Sequence, residues 1–265
     1  YFDKMLPEFK APYRWAMSDD GKDLLGMAQR FGPYSFVVNT DKISRATAEE
    51  QGWNLFNDPS LAGKYGILES DDWNVFDIFL TAGINPFVTH TDADFKAFEE
   101  TAVRIFTGAK MIGDIATMNQ ALISGEIDLH FTGGTYSVSP ARADGYPNLR
   151  AITPLKGPID GKGGVSWIEI TSTVNNPQLS PLAAQFLEYV QDPEVAHTVA
   201  FAEGTFNPVA QMGNKACFDL FTKDELDAIQ WDSVEEEMAR SAEYDIVPDY
   251  DKALEIMLGA KRQRG

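Results

Sequence analysis

The strongest constraint on the fold is that short β-prone apolar runs alternate with longer amphipathic segments along the chain. The runs end in polar or glycine-containing turns, as buried strands do, and the longer segments place apolar residues three and four positions apart, as helices do. This alternation predicts an α/β fold. The predicted strands are residues 36–38, 65–68, 127–131 and 165–174, and the predicted helices are 95–106, 115–123, 182–190 and 193–201, with one more after the acidic residues that follow position 68.

Size and charge limit the classes of function. The 265 residues suffice for two lobes or one large domain. With 40 acidic against 22 basic residues the formal charge is −18, which repels nucleic acid and anionic lipid and attracts cations. The chain contains no apolar run of membrane-spanning length, nor a hydrophobic signal segment, and it begins at Tyr1, as a mature secreted protein or a trimmed chain would.

The sequence lacks the residue patterns of the common catalytic and metal sites. Cys217 is the single cysteine, which excludes an internal disulfide and favours a small buried side chain. The histidines His90, His130 and His197 are dispersed and have no metal-binding spacing, and no phosphate-binding or dinucleotide-binding glycine motif occurs. We therefore expect no metal, no cofactor and no catalysis.

Two places combine carboxylates with aromatic side chains, the chemistry that a cationic ligand requires. Trp167 and Glu169 lie two positions apart on a predicted strand and so share one face. On the strand alone, packing of Trp167 in a core with Glu169 at a solvent-facing sheet edge is an equal alternative. Asp71 and Asp72 lie between a strand and a helix, where an aspartate also commonly caps the helix. By contrast, residues 1–30, broken by prolines and glycine, predict irregular structure.

Several longer segments resemble, in order and spacing, the spermidine/putrescine-binding proteins of bacterial ABC importers. They are LPEFKAP, AQRFGPYSFVVNTDKIS, WNLFNDPSLAGKYGILESDD and NNPQLSPLAAQFLEYVQDPEVAHTVAFAEGTFNPVA. The resemblance implies a type II periplasmic binding protein fold, with two lobes that each have a central mixed sheet and hold the ligand between them. It also implies that the N-terminal part of lobe one, roughly seventy residues, precedes Tyr1 in family members.

The resemblance further implies the lobe limits and the hinges. Hinges are expected near Val38, Glu169 and Pro208. Lobe one is predicted to comprise residues 1–41 and 168–210, and lobe two residues 42–167 and 211–265.

The same resemblance assigns ligand-binding positions. Trp167 and Glu169 match an aromatic, a spacer and an acid, with glutamate replacing the usual aspartate. Asp71 takes the place of a binding aspartate, whereas Asn74 stands where a binding glutamate is expected. Phe131 replaces a tryptophan, although a phenylalanine that ends a strand is more often in a core. The predicted ligand-binding residues are Trp167, Glu169, Asp71, Asp72, Trp73, Asn74, Phe131, Tyr34 and Phe206, with Thr205 beside Phe206 as another candidate to close the pocket.

The sequence thus predicts a periplasmic, monomeric solute-binding subunit that captures a small cationic solute, foremost a polyamine such as putrescine or spermidine, and passes it to a membrane permease. The loss of one expected acid at Asn74 suggests fewer ligand amines than spermidine has, or a different cation. The alternatives are a quaternary ammonium compound or an amino-acid derivative, and, more distantly, a carbohydrate-acting enzyme with a carboxylate pair.

Overall fold

A computed structural model describes residues 2–178 and 180–264. The described residues form an α/β structure in which the strands build a single mixed sheet. The strands are β1 Gly26–Asn39, β2 Tyr65–Leu68, β3 Met111–Gly113, β4 Leu129–Gly134, β5 Leu149–Ile152, β6 Gly164–Ser172 and β7 Ser241–Glu243. The α-helices are α1 Arg45–Gln51, α2 Asp71–Thr81, α3 Asp92–Gly108, α4 Ile115–Ser124, α5 Thr135–Ala143, α6 Leu182–Tyr189, α7 Pro193–Ala200, α8 Lys215–Phe218, α9 Lys223–Ala228, α10 Val234–Ala239 and α11 Tyr250–Lys261.

The predicted α/β fold is confirmed, and each predicted strand and helix has a counterpart in the structure. The strand order is β3-β2-β4-β1-β6-β7, and β5 also pairs with β1. β2 is parallel to β3 and to β4, β6 is parallel to β7, and β1 is antiparallel to β4, β5 and β6. Because β2, β3 and β4 run in one direction, their carboxyl ends meet at one edge of the sheet, where open α/β sheets bind ligands.

The long strand β1 connects two parts of the sheet. Its first half, from Gly26 to Tyr34, pairs with β6, and its second half, from Tyr34 to Asn39, pairs with β4 and β5. The irregular structure predicted up to Arg30 is therefore wrong from Gly26 onward. The polar side chains before Phe31 interrupt the apolar run by which a buried strand is recognised. Some of these side chains lie at a cleft rather than in a core.

Apolar side chains cover both faces of the sheet around β2 and β4. On one face α2, α3 and α11 contribute to a core that contains Phe79, Phe98 and Met257. On the other face α4 and α5 pack through Met118, Leu122 and Val138. Two smaller clusters, built around Phe9 and Phe31 and around Ala196 and Cys217, lie beside the first half of β1.

Local capping fixes where two of the longer helices begin, and one of them, α4, lies at the edge of the sheet where the carboxyl ends of β2 and β3 meet. The Asp114 side chain accepts a hydrogen bond from the Thr117 backbone N–H and caps α4, and Thr91 and Asp94 form a capping box at α3. Of the helices in the part of the chain described here, none has the length and apolar character needed to cross a bilayer.

Candidate functional site

The main cavity is a cleft of about 600 Å³ at the carboxyl edge of β2 and β3, and it extends along β1 and β6. Side chains from both halves of β1 and from the turns after β2, β3 and β4 reach it. The lining residues are Arg30, Tyr34, Leu68, Glu69, Ser70, Trp73, Asp114, Ile115, Ala116, Tyr136, Trp167, Glu169, Glu203, Thr205 and Asn207.

Aromatic rings form one wall of this cleft. The Tyr34 ring is stacked on the Trp73 ring, with centroids 3.8 Å apart, and is nearly parallel to the Tyr136 ring at 6.0 Å. Trp167 meets Tyr136 edge-on, with centroids 6.2 Å apart. Trp167 can lie flat against β1 because Gly32 faces it, and a Cβ atom at Gly32 would approach the indole nitrogen to 3.3 Å. Such rings can enclose methylene groups and bind a cation on their faces.

A buried polar network lies behind the aromatic wall. The Thr132 hydroxyl lies 2.5 Å from Asn74 Oδ1 and 2.7 Å from Asp77 Oδ2. A hydroxyl has one proton and can donate to only one of these oxygens. Burial raises the pKa of the Asp77 carboxyl well above its ordinary value, so a protonated Asp77 can donate the second hydrogen bond to Thr132. This arrangement gives the buried Asn74 a hydrogen-bond partner for its side-chain oxygen, and its side-chain nitrogen donates to the Leu68 carbonyl.

In the same cleft, Arg30 holds two carboxylates. Its Nε and Nη2 donate to Glu169 Oε2 at 2.9 and 2.7 Å, and Nη2 also donates to Glu203 Oε2 at 2.8 Å. Nη1 donates to the Ala202 carbonyl at 2.9 Å and to the Thr205 hydroxyl at 3.3 Å. Burial opposes the charge on Arg30, but the hydrogen bonds to the two glutamates outweigh it and raise the pKa of the guanidinium above its ordinary value.

The charge of the cleft lining is negative. Its ionisable groups are the carboxylates of Glu69, Asp114, Glu169 and Glu203 against the single guanidinium of Arg30. Together with the aromatic wall, this composition suits a small cation better than an anion.

Four of the nine predicted ligand-binding residues line this cleft together, Tyr34, Trp73, Trp167 and Glu169, and so does the further candidate Thr205. The packing alternative for Trp167 and Glu169 does not describe their position, since both are partly exposed at the cleft. Their contact with a ligand stays a prediction.

The structure places the other predicted residues elsewhere. Asp71 Oδ1 accepts from Lys261 Nζ at 2.8 Å, and the exposed Asp72 accepts from the Tyr250 hydroxyl. Phe131 is fully buried beside Phe56. Asn74 is in the buried network, and Phe206 packs on Phe201 and exchanges backbone hydrogen bonds with the Ser139 hydroxyl. None of these five is among the residues that line the cleft within 2–178 and 180–264.

The sequence did not single out several lining residues, among them Arg30, Tyr136, Glu203 and Asn207. Arg30 lies in the segment that was predicted to be irregular, and Tyr136 lies in the first turn of α5, a helix that was not predicted. Glu203 and Asn207 flank Thr205 in the turn after α7. The adjacent Gly204 and Pro208 mark this turn in the sequence, but only the folded chain brings the turn to Arg30.

Among the described residues, 2–178 and 180–264, no three His, Cys, Asp or Glu side chains group in a way that could hold a metal ion. His130, for example, is enclosed on β4, and burial lowers its pKa to about 4.

Comparison with known proteins supports the fold. No protein-family model matches the chain, and no curated protein matches it either. Several solved structures do match the chain. The spermidine/putrescine ABC transporter substrate-binding protein PotD from Streptococcus pneumoniae superposes with a TM-score of 0.66 at 16% identity, over 100% of this chain and 75% of that one.

Two further solved structures extend this comparison. The periplasmic binding protein MotA from A. tumefaciens B6, solved in complex with glucopine, has a TM-score of 0.63 and 15% identity over 94% of this chain and 75% of its own. The Tp0655 (TpPotD) lipoprotein of Treponema pallidum has a TM-score of 0.65 and 12% identity over 98% and 74%. The predicted periplasmic binding protein fold is confirmed by these likenesses.

Proposed function

We propose that this protein is the extracytoplasmic solute-binding subunit of an ABC importer and captures a small cationic nitrogen compound, foremost a polyamine. The observation that supports this most directly is the cleft itself, where the stacked rings of Tyr34 and Trp73 face a lining with four carboxylates and one guanidinium. Methylene groups would pack against the ring surfaces that line the cleft, and each ammonium group would find a carboxylate within the same cavity.

Capture would proceed by closure of two lobes around the solute. We propose residues 1–41 and 168–210 as lobe one and residues 42–167 and 211–265 as lobe two, connected through β1 and β6. The pairing partner of β1 changes at Tyr34, which lies within the cleft and N-terminal to the predicted hinge at Val38. A solute that contacts both lobes would stabilise the closed form, and a membrane permease would recognise that form.

The proposal includes no reaction. Glu169 and Glu203 both accept hydrogen bonds from the Arg30 guanidinium, whereas the proton donor of a glycosidase is a carboxyl group without such a cationic partner. We therefore propose that the protein works as a periplasmic binding protein and releases its solute unchanged.

A thermal-shift and calorimetric screen of the full chain tests the proposed function. The panel comprises putrescine, spermidine, choline, glycine betaine, arginine and glucopine, with glucose as the uncharged control. We expect at least one cation to raise the Tm by about 5 °C or more at a hundredfold excess over its Kd, since ligand binding stabilises by RT ln(1 + [L]/Kd). A panel in which no cation binds would contradict the proposal, as would turnover of a glycoside.

Substitution of a wall residue locates the binding site. Trp167→Ala removes an indole that lines the cleft, and we expect the affinity for the bound cation to fall about tenfold or more. Trp231→Ala is the matched control, because Trp231 is also partly exposed and lies outside the cleft lining. Equal effects of the two substitutions would contradict the assignment of the cleft as the binding site.

An amino-acid derivative with both an amine and a carboxylate is the second candidate. It is favoured by the presence of an arginine in the cleft and by the likeness to MotA, which was solved with glucopine. Such a solute would place its carboxylate on Arg30, and glucopine in the panel tests this directly.

A further inference from the structure

The guanidinium of Arg30 is fully occupied by the protein itself. An arginine side chain has five N–H groups. Arg30 makes five hydrogen bonds, two to Glu169, one to Glu203, one to the Ala202 carbonyl and one to the Thr205 hydroxyl. Its side chain is only 6% exposed. A ligand carboxylate could therefore bind Arg30 only by displacing one of these acceptors.

The two glutamates, in contrast, retain free acceptor atoms. Both bind Arg30 through Oε2, at 2.7 and 2.8 Å from the same Nη2 atom, so the two carboxylates are held side by side. In the described part of the chain, neither Glu169 Oε1 nor Glu203 Oε1 accepts a hydrogen bond. Their side chains are 39% and 78% exposed. One positive and two negative charges leave this group with a net charge of −1 in the cleft.

A third acceptor lies next to this pair. Asn207 lines the cleft and is 1% exposed, and its Oδ1 has no hydrogen-bond partner among residues 2–178 and 180–264. The Asn207 amide is placed with Nδ2 3.3 Å from the Thr205 hydroxyl, to which it donates. That hydroxyl also accepts from Arg30 Nη1 at 3.3 Å and lies 3.5 Å from the Ala202 carbonyl oxygen, and Asn207 Oδ1 is the free atom of the amide. A buried acceptor without a partner is unfavourable until a donor binds it.

We propose that Glu169 Oε1, Glu203 Oε1 and Asn207 Oδ1 bind a primary ammonium group of the solute, and that Arg30 is the positioning residue that holds the two carboxylates. This inference rests on the proposed function and names the chemical group that its cleft selects. A primary ammonium has three N–H donors for these acceptors. A quaternary ammonium has none, and a ligand carboxylate would meet the unoccupied oxygens of two glutamates.

Glu203 thus supplies the second carboxylate that the sequence lacks at Asn74. It comes from the turn after α7 rather than from the start of α2. Its backbone is in the left-handed region, with φ of 62°, a conformation in which glycine is far less strained than glutamate. Loss of binding in both a glutamine and a glycine variant could therefore not be attributed to backbone strain.

Isothermal titration calorimetry with putrescine and choline tests the inference on the full chain. We expect the wild-type protein to bind putrescine more tightly than choline. Glu203→Gln and Glu203→Gly should each weaken putrescine binding about tenfold, as loss of a charged hydrogen bond does. The matched control is Asp232→Asn, because Asp232 is also an exposed carboxylate on a largely buried arginine, Arg150, but lies outside the cleft. It should change the Kd by less than twofold.

The outcomes separate this inference from the proposed function. If the wild-type protein binds putrescine and both Glu203 variants retain its Kd within twofold, the ammonium site is wrong while the proposed function stands. Tighter binding of glucopine by Glu203→Gln than by the wild type would also overturn it, because Arg30 would then serve a ligand carboxylate. Failure of the wild-type protein to bind any cation overturns both.

Discussion

Two regions around the cleft differ in how the desolvation of their carboxylates is compensated. Behind the aromatic wall, Asp77 is fully buried with no cation beside it among the described residues, and burial raises its pKa well above the ordinary value. In the cleft lining, Glu169 and Glu203 remain partly exposed and share the buried Arg30. The first region avoids a buried charge by protonation, and the second keeps its charges by pairing them.

This difference indicates what each region contributes. The neutral network of Asp77, Thr132 and Asn74 supports the aromatic wall without adding charge behind it. The arginine and its glutamates present charge where a solute can reach it. A site of this kind needs both regions. The second region attracts the ammonium groups of the solute, and the aromatic wall that the first region supports removes water from its methylene groups.

The largest expected effect is on the pH dependence of stability, through Asp77→Asn. Native Asp77 holds its proton while the unfolded chain loses it above the ordinary pKa. The wild-type free energy of unfolding therefore falls as pH rises, by about 1.4 kcal/mol per pH unit, between the ordinary and the raised pKa. The asparagine variant lacks this contribution. Urea unfolding at pH 5, 6 and 7 should show the stability of the variant relative to wild type rising with pH.

Asp72→Asn is the control for that experiment, because Asp72 is exposed at the start of the same helix. Its stability should follow the wild-type pH dependence. If Asp77→Asn did so as well, Asp77 would be ionised in the native protein, and the contrast between the two regions would disappear.

The second prediction concerns the paired region. Arg30→Met removes the partner of Glu169, Glu203 and the Ala202 carbonyl, and we expect the free energy of unfolding to fall by about 2 kcal/mol. This is less than for a fully buried pair because both carboxylates can be hydrated. Arg14 is the matched control, since it also bridges two carboxylates, Glu243 and Asp245, but is 48% exposed.

For Arg14→Met the expected loss is below about 1 kcal/mol. Urea unfolding at low salt measures the loss of unfolding free energy in both variants. Equal losses for the two variants would mean that Arg30 has no special role in holding the glutamates.

The smallest effect is expected for Asp71→Asn at the start of α2. Asp71 pairs with Lys261 outside the cleft lining, with side chains 39% and 24% exposed. We expect a change in unfolding free energy below about 1 kcal/mol and a change in ligand Kd of less than about threefold. Calorimetry with putrescine measures the second quantity. A larger loss of affinity would support the sequence prediction that Asp71 binds the solute.

Local patterns in the sequence were sufficient to predict four of the seven strands and five of the eleven α-helices of the described residues. The run at 165–174 is β-branched and apolar, and β6 spans Gly164–Ser172. The first half of β1 was not predicted because Gln29 and Arg30 interrupt its apolar pattern, although every residue of the strand is buried. Burial of such polar side chains depends on partners that are distant in sequence, which periodicity does not reveal.

The residues of the site, too, were predictable from the sequence only in part. The spacing of Trp167 and Glu169 determined that they share a face, because alternate residues of a strand point to the same side. The family resemblance added Tyr34 and Trp73, and all four line the cleft. The sequence did not indicate that Glu169 has an arginine partner. That pairing joins β1 to β6, and Glu203 joins it from the turn after α7.

The sequence by itself determined the alternation of strands and helices, the acidic balance, and the aromatic and acidic faces of single elements, since all of these are local properties of the chain. Only the tertiary structure decided which charges meet. Asp71 pairs with Lys261, Asn74 accepts a hydrogen bond from Thr132, and Glu169 and Glu203 both pair with Arg30. The physical reason is that a charge is placed by the partners that compensate its desolvation, and those partners lie far away along the chain.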